Sequence, residues 1–283
     1  MGKINRLETA NKLISSKALI RKPYILLLGL ILLSSKFSYA QKLEKSISNS
    51  TGLWLGSYTK YRIKDKWFYY GEYHYRRRND FINNMAQIYL RFGATYRPNK
   101  SMELTSGVVT PIYWAPNQEA PNIDKRVMQY RFWEQMLFVQ YFERLKLYHQ
   151  IRTEQRWKRD YEKKSPFKLT HRFRYKISTY IPLNNRHIVP RTIFVSLYNE
   201  IFIQAGRSVT YNHLEDNRMF LGAGYVLNEN MQVQLGYMLT YRHKGDPYEY
   251  EFRHIPRVSF YHGIDFSRKI KNRKNIPILM DEF

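Results

Sequence analysis

The stretch MAQIYLRFGATYR, residues 85–97, decides the fold. Ala86, Ile88, Leu90, Phe92, Ala94 and Tyr96 fall on one parity, while Gln87, Tyr89, Arg91, Gly93, Thr95 and Arg97 fall on the other. A strict period of two is the signature of a strand with two unlike faces, because successive side chains of an extended chain point to opposite sides. The stretch is also more than twice the roughly 5–6 residues of a typical globular strand. The same pattern recurs downstream. In HRFRYKISTYI (171–181), Phe173, Tyr175, Ile177, Thr179 and Ile181 oppose Arg172, Arg174, Lys176 and Ser178. In MQVQLGYMLTYR (231–242), Val233, Leu235, Tyr237, Leu239 and Tyr241 oppose Gln232, Gln234, Gly236, Met238, Thr240 and Arg242. RVSFYHGIDF (257–266) alternates through Val258, Phe260, His262, Ile264 and Phe266.

Segments of this kind predict strands near 51–63, 66–78, 84–97, 101–114, 126–142, 145–158, 167–182, 190–204, 216–227, 230–242 and 251–266. None has a helical period. Strands this long, with one apolar and one charged face, fit an all-β transmembrane antiparallel β-barrel, whose strands need about 9–11 residues to cross the hydrocarbon. The connections alternate in length. IKDK (63–66), RPNK (97–100), the turn at Glu143 and LNEN (227–230) are tight, whereas APNQEAPNIDK (115–125), KRDYEKKSP (158–166), QAGRSVTYNHLED (204–216) and HKGDPYEYE (243–251) are long. Outer-membrane barrels pair short periplasmic turns with long outer loops and, as single bacterial chains, have even strand numbers. Residues 42–49 are therefore the candidate for a further strand, giving about twelve; ten is the alternative.

The N-terminal forty residues read as an address. YILLLGLILL (24–33) is the one long apolar run and covers about half of the roughly 20 residues a membrane helix needs. Lys3, Arg6, Lys12, Lys17, Arg21 and Lys22 precede it, and SKFSYA follows with Ser38 and Ala40 at small-residue positions, as in a signal peptide cut after Ala40. The expected organisation is a leader (1–40), a barrel (41–266) and a basic tail (267–283) whose core is SRKIKNRKN.

Composition bounds the chemistry. The 283 residues carry 47 Lys+Arg against 23 Asp+Glu, a formal charge of +24, with 25 Tyr and no Cys. The absence of Cys excludes disulfides, thiolate metal sites and thiol nucleophiles. The low mean hydropathy excludes a helical membrane bundle. Loss of the leader removes seven cations and one acid and leaves +18, so the basic excess belongs to the exported chain. Export argues against nucleic acid as partner despite that charge. The expected location is the bacterial outer membrane, with its lipid as the partner.

By parity, the inward face collects Glu72, His74, Arg76, Glu134, Arg152, Glu154, Arg156, Arg172, Arg174, Lys176, Glu200 and Arg218. Mutual pairing is the simplest fate of such charges, since buried charges are usually paired. An excess of Arg over Glu would also line a path or pocket for a small anionic solute. Trp54, Trp67, Trp114, Trp133 and Trp157 suit an interfacial aromatic girdle. Basic loop residues such as Lys158, Arg159, Lys163, Lys164, Arg207 and Lys244 suit an outer leaflet bearing phosphates.

No GxSxG elbow, HExxH or Gly-rich phosphate loop is present, and no cofactor or metal is implied. A lipid hydrolase on a barrel scaffold would need a His–Ser pair at the lipid boundary. Ser259 and His262 lie on opposite parities, which disfavours them. A narrow channel or structural envelope barrel is the leading expectation. A barrel hydrolase and a secreted soluble β-protein binding anionic glycan are the alternatives.

The strings YHQIRTEQRW (148–157), HRFRYKI (171–177), SLYNEIFI (196–203) and DNRMFLGAGYVLNENMQVQLGYM (216–238) resemble the family called domain of unknown function 2490, exported β-barrel proteins of Bacteroidota-type bacteria. The matching positions are Arg152, Glu154, Arg156, Arg172, Arg174, Glu200, Asn217 and Arg218. The resemblance implies an outer-membrane barrel and supplies no activity.

Overall fold

A computed structural model describes residues 45–143, 145–209, 211–244, 246 and 248–267. The expected leader and the tail from residue 268 lie outside the described residues. The strands are β1 Ser46–Lys64, β2 Trp67–Arg78, β3 Asn84–Asn99, β4 Met102–Trp114, β5 Arg126–Met128, β6 Tyr130–Tyr141, β7 Lys146–Lys158, β8 Lys168–Pro182, β9 Ile193–Ala205, β10 Leu214–Asn228, β11 Met231–His243 and β12 Glu249–Asp265. All belong to one sheet that closes on itself.

Twelve segments make eleven walls. β5 and β6 keep a single register against β4, through Val109↔Arg131, Ile112↔Met128 and Tyr113↔Val127. Between them the Gln129 N–H donates to the Pro111 carbonyl at 3.0 Å. Proline has no N–H to return, so the ladder is interrupted there although the strand is not. Sequential neighbours pair antiparallel, as in a meander, and the barrel closes by β12 lying parallel to β1 from Ser46↔Glu249 to Arg62↔Asp265. An odd number of up-and-down strands requires one parallel neighbour, and this seam is it. Residues 46–49, expected within a separate strand, are instead the start of β1.

The tight turns follow from local chemistry. Asn99 Oδ1 accepts the Ser101 N–H and Asn228 Oδ1 accepts the Asn230 N–H, each at 2.9 Å, the side chain mimicking a turn of backbone. The connection after β8, residues 183–192, is the long one at that end; there Asn184 Oδ1 accepts the Ile193 N–H at 2.8 Å.

Burial is inverted relative to a water-soluble protein. Leu221 and Leu235 on the outward parity are 60% and 63% exposed, while Arg91 and Glu154 on the inward parity are 0% and 1% exposed. Inward rings share this interior, and glycine makes space for them. A Cβ on Gly93 would stand 2.8 Å from the indole of Trp133, and one on Gly222 2.7 Å from the ring of Phe220. One bulge re-aims a side chain: Leu214 pairs with Ile203 and Asp216 with Phe202, leaving Glu215 as the extra residue, turned inward beside Asp216.

Candidate functional site

The lumen holds a chain of charges anchored at mid-strand positions. Glu154 on β7 is its centre. Its Oε1 accepts from Arg91 Nη2 at 2.9 Å and Arg174 Nη1 at 2.8 Å, and its Oε2 accepts from Arg131 Nη1 at 3.2 Å and Arg172 Nε at 3.1 Å. Four guanidinium groups on β3, β6 and β8 thus occupy both oxygens of one carboxylate. Arg91 also donates to Glu72 Oε2 at 3.0 Å, and Arg174 to Glu200 Oε1 at 2.6 Å. Glu72 is on β2 and Glu200 on β9, which the strand order puts on opposite sides of the ring. The chain Glu72, Arg91, Glu154, Arg174, Glu200 therefore crosses the lumen instead of following its wall.

Two extensions lead from this bridge. Glu72 meets His74 Nε2 at 2.9 Å and accepts from the Tyr70 hydroxyl at 3.2 Å. Towards the long loops, Glu215 accepts from Arg156 at 2.8 Å and Arg172 at 3.3 Å, and Arg218 donates to Asp216 at 2.8 Å. Near the tight turns a separate group joins Lys60 and Arg97 to Glu103, at 2.7 and 2.6 Å. Buried charges are costly unless paired and hydrogen-bonded, and these satisfy both conditions.

Three cations that border the central cavity have no carboxylate within ion-pair distance among the described residues. Arg76 lies with its guanidinium carbon 3.6 Å from the centroid of Trp54 and donates to Gln87 at 2.8 Å. Arg257 donates to the Tyr198 hydroxyl at 2.6 Å and to the Tyr58 hydroxyl, and its Nε is buried without a partner. The Lys176 ammonium sits 4.7 Å from the Tyr198 ring centroid. All three border a cavity of about 130 Å³ along the lumen, room for a few waters or one small ion.

Of the residues expected inside, Glu72, His74, Arg76, Arg152, Glu154, Arg156, Arg172, Arg174, Lys176, Glu200 and Arg218 do line the lumen. Glu134 does not. Its strand turns Arg131, Trp133, Gln135 and Leu137 inward and Phe132, Met136 and Phe138 outward, so Glu134 faces out, where it accepts from Thr153 Oγ1 at 2.7 Å. Apolar residues occur on both parities there, and the charge was the misleading cue. Arg91, Arg131 and Arg257 were legible by the same parity rule but missed as site residues; Glu215 breaks parity at its bulge and gave no signal.

A family model described as "Protein of unknown function (DUF2490)" matches residues 51–250. The chain belongs to this family. The matched span runs from β1 into the start of β12 and contains the whole bridge across the lumen. A search of the curated proteins finds no match. In this DUF2490 protein, two of the five tryptophans depart from the expected girdle: Trp54 and Trp133 are buried in the lumen, where Arg76 stacks on Trp54 and Arg91 and Arg152 lie over Trp133. Trp67 and Trp157 are outward and exposed near strand ends. Ser259 is buried inside, and His262 faces out towards the Tyr61 hydroxyl at 3.3 Å, so the wall separates the two.

Proposed function

We propose that this DUF2490 protein is an integral outer-membrane β-barrel closed to bulk flow by its charged bridge, a structural envelope barrel with a narrow interior. The inversion of its faces carries the reading. Exposed large apolar side chains recur on every long strand except β3, including Leu55, Leu104, Phe138, Ile203, Leu221 and Leu235, far beyond the few hundred Å² of contiguous apolar patch that soluble monomers tolerate. A hydrocarbon solvent removes that cost, and a closed barrel leaves no unpaired strand edge in it. The bridge from Glu72 to Glu200 argues against a wide aqueous channel, and no catalytic step is assigned.

The full-length protein expressed in a bacterium should stay with the membrane in sodium carbonate and migrate differently before and after boiling. In planar bilayers it should pass little current. Carbonate release with unchanged migration would overturn the membrane reading in favour of a soluble glycan binder, and lipid release from vesicles would favour a hydrolase.

A second reading is supported by Arg76, Lys176 and Arg257. Cations without carboxylates beside a cavity favour entry of a small anion. In a salt gradient, the residual current should then reverse near the anion's equilibrium potential.

A further inference from the structure

The outward face carries polar side chains as well as apolar ones, and several of them pair with one another within the barrel. His149 Nδ1 meets the Tyr175 hydroxyl at 2.8 Å, His262 meets Tyr61, His254 meets Tyr237, and Asn199 Nδ2 donates to Asn217 Oδ1 at 2.8 Å. One patch on β6, β7 and β8 differs. Glu134 is the one carboxylate on the outward parity of the described strands, and no cation lies within ion-pair distance of it among the described residues. Thr153 Oγ1 and Gln155 Nε2 both donate to its Oε2, at 2.7 and 3.4 Å, which leaves Oε1 without a donor. The Gln155 side-chain oxygen is buried and has no hydrogen-bond partner. His171, in register with Gln155, is exposed and makes no side-chain hydrogen bond among the described residues.

These residues line a shallow groove of about 350 Å³ whose apolar sides are Phe173 and Ile203, both more than two-fifths exposed. Glu134 lies four residues along its strand from Tyr130, which pairs with Trp157 and packs against Phe167, an aromatic group typical of a membrane boundary. On the membrane reading, which this inference depends on, the patch thus dips from the interface into hydrocarbon, where an ionisable residue facing lipid is costly and marks a functional surface.

We infer that this patch is a self-association surface, covered by the same patch of a second copy of the chain. Its leftover groups are complementary to one another: an acceptor oxygen, Glu134 Oε1, and an imidazole donor, His171. A two-fold contact sets a patch against itself, so the imidazole of each copy meets the carboxylate of the other. Phosphate-bearing lipid is the poorer occupant, since its anionic head would face the Glu134 carboxylate.

The chain has no cysteine, so single cysteines report contacts cleanly. Thr153→Cys in native membranes should give a band of twice the chain mass under mild oxidation, while Leu221→Cys, on the exposed face of β10, should give none. Adding Glu134→Leu or His171→Leu to Thr153→Cys should remove the doubled band without loss of the boiling-dependent shift. In mild detergent, native mass measurement should find the unmodified protein as a dimer and Glu134→Leu as a monomer. A monomer by both measurements, a crosslink to a different protein, or equal crosslinking through Leu221→Cys would overturn the inference. Carbonate extraction of the same samples separates the two claims: protein retained in the membrane yet monomeric refutes the dimer alone, and protein released refutes the membrane reading beneath it.

Discussion

Two glutamates stand one register step apart on the same pair of strands and meet opposite fates. Trp133 pairs with Glu154 and Glu134 with Thr153, so the two carboxylates project from neighbouring rungs to opposite sides of the wall. Glu154 is fully buried and takes hydrogen bonds from four arginines; Glu134 has a hydroxyl, an amide and no cation. The residue type is the same and the backbone nearly so. What differs is the company, and that is set by which face of a closed sheet a position occupies. Inside, charge is neutralised by side chains reaching across from other strands; outside, Glu134 has only the two neutral donors of the neighbouring strand, both on Oε2.

The largest expected effect comes from removing the inner partner. Glu154→Leu leaves Arg131 with no carboxylate within ion-pair distance among the described residues and takes a shared partner from Arg91, Arg172 and Arg174, and breaking a buried pair from one side costs about 3–5 kcal/mol. The unboiled, folded gel band of this variant should disappear at much lower urea than that of the unmodified barrel, or fail to form. Equal resistance to urea would show that the bridge contributes little. The outer face is probed next by Leu221→Arg, since a charge on an outward, mid-strand position costs about 2–4 kcal/mol at the bilayer midplane and far less in water. Assembly into vesicles should fall accordingly, and unimpaired assembly would mean that this face does not meet lipid.

How much of this contrast could be read from the sequence depends on how cleanly each strand alternates. Residues 85–97 and 231–242 keep most apolar and polar residues on separate parities, Met238 among the exceptions, and both faces come out as expected. Residues 126–141 place Val127, Trp133, Leu137 and Val139 on one parity and Phe132, Met136 and Phe138 on the other, so a lone Glu cannot settle which side is wet. The strand count was legible to within one, because the eleven patterned segments are the eleven walls; the inference of an extra strand came from the even-number rule, which a parallel seam between β1 and β12 evades. That seam, like the inward turn of Glu215, is a property of long-range pairing and register, and no local pattern encodes it. The network around Glu154 was legible as a set of inward residues and not as a geometry, since its members lie on six different strands, from β2 to β9.

A third measurement separates saturated from unmatched charge within the lumen. Arg257→Leu removes a cation held by tyrosine hydroxyls and no carboxylate, so it strands only neutral groups, at a cost of about 1–3 kcal/mol. The barrel should still assemble, while the reversal potential of any residual current moves away from the anion's equilibrium value. An unchanged reversal potential would remove Arg257 from the anion path and leave that reading to Arg76 and Lys176 alone.

The smallest effect should come from Glu134→Gln, and its smallness is informative. The amide oxygen can still accept from Thr153, so the local hydrogen bond survives, and only the charge is lost. No cation is stranded, because none lies within ion-pair distance among the described residues, and on the proposed membrane reading a neutral group is cheaper than a carboxylate next to hydrocarbon. Stability in urea should therefore stay within about 1 kcal/mol of the unmodified protein, as for ordinary surface substitutions. The same change made inside, Glu154→Gln, keeps the shape and removes a charge that four guanidinium groups share, one of which, Arg131, has no other carboxylate within ion-pair distance among the described residues, and should destabilise far more. If the two variants unfold at similar urea concentrations, the faces of this wall do not differ electrostatically as their contacts indicate, and the account of the lumen as a charge-closed interior fails with them.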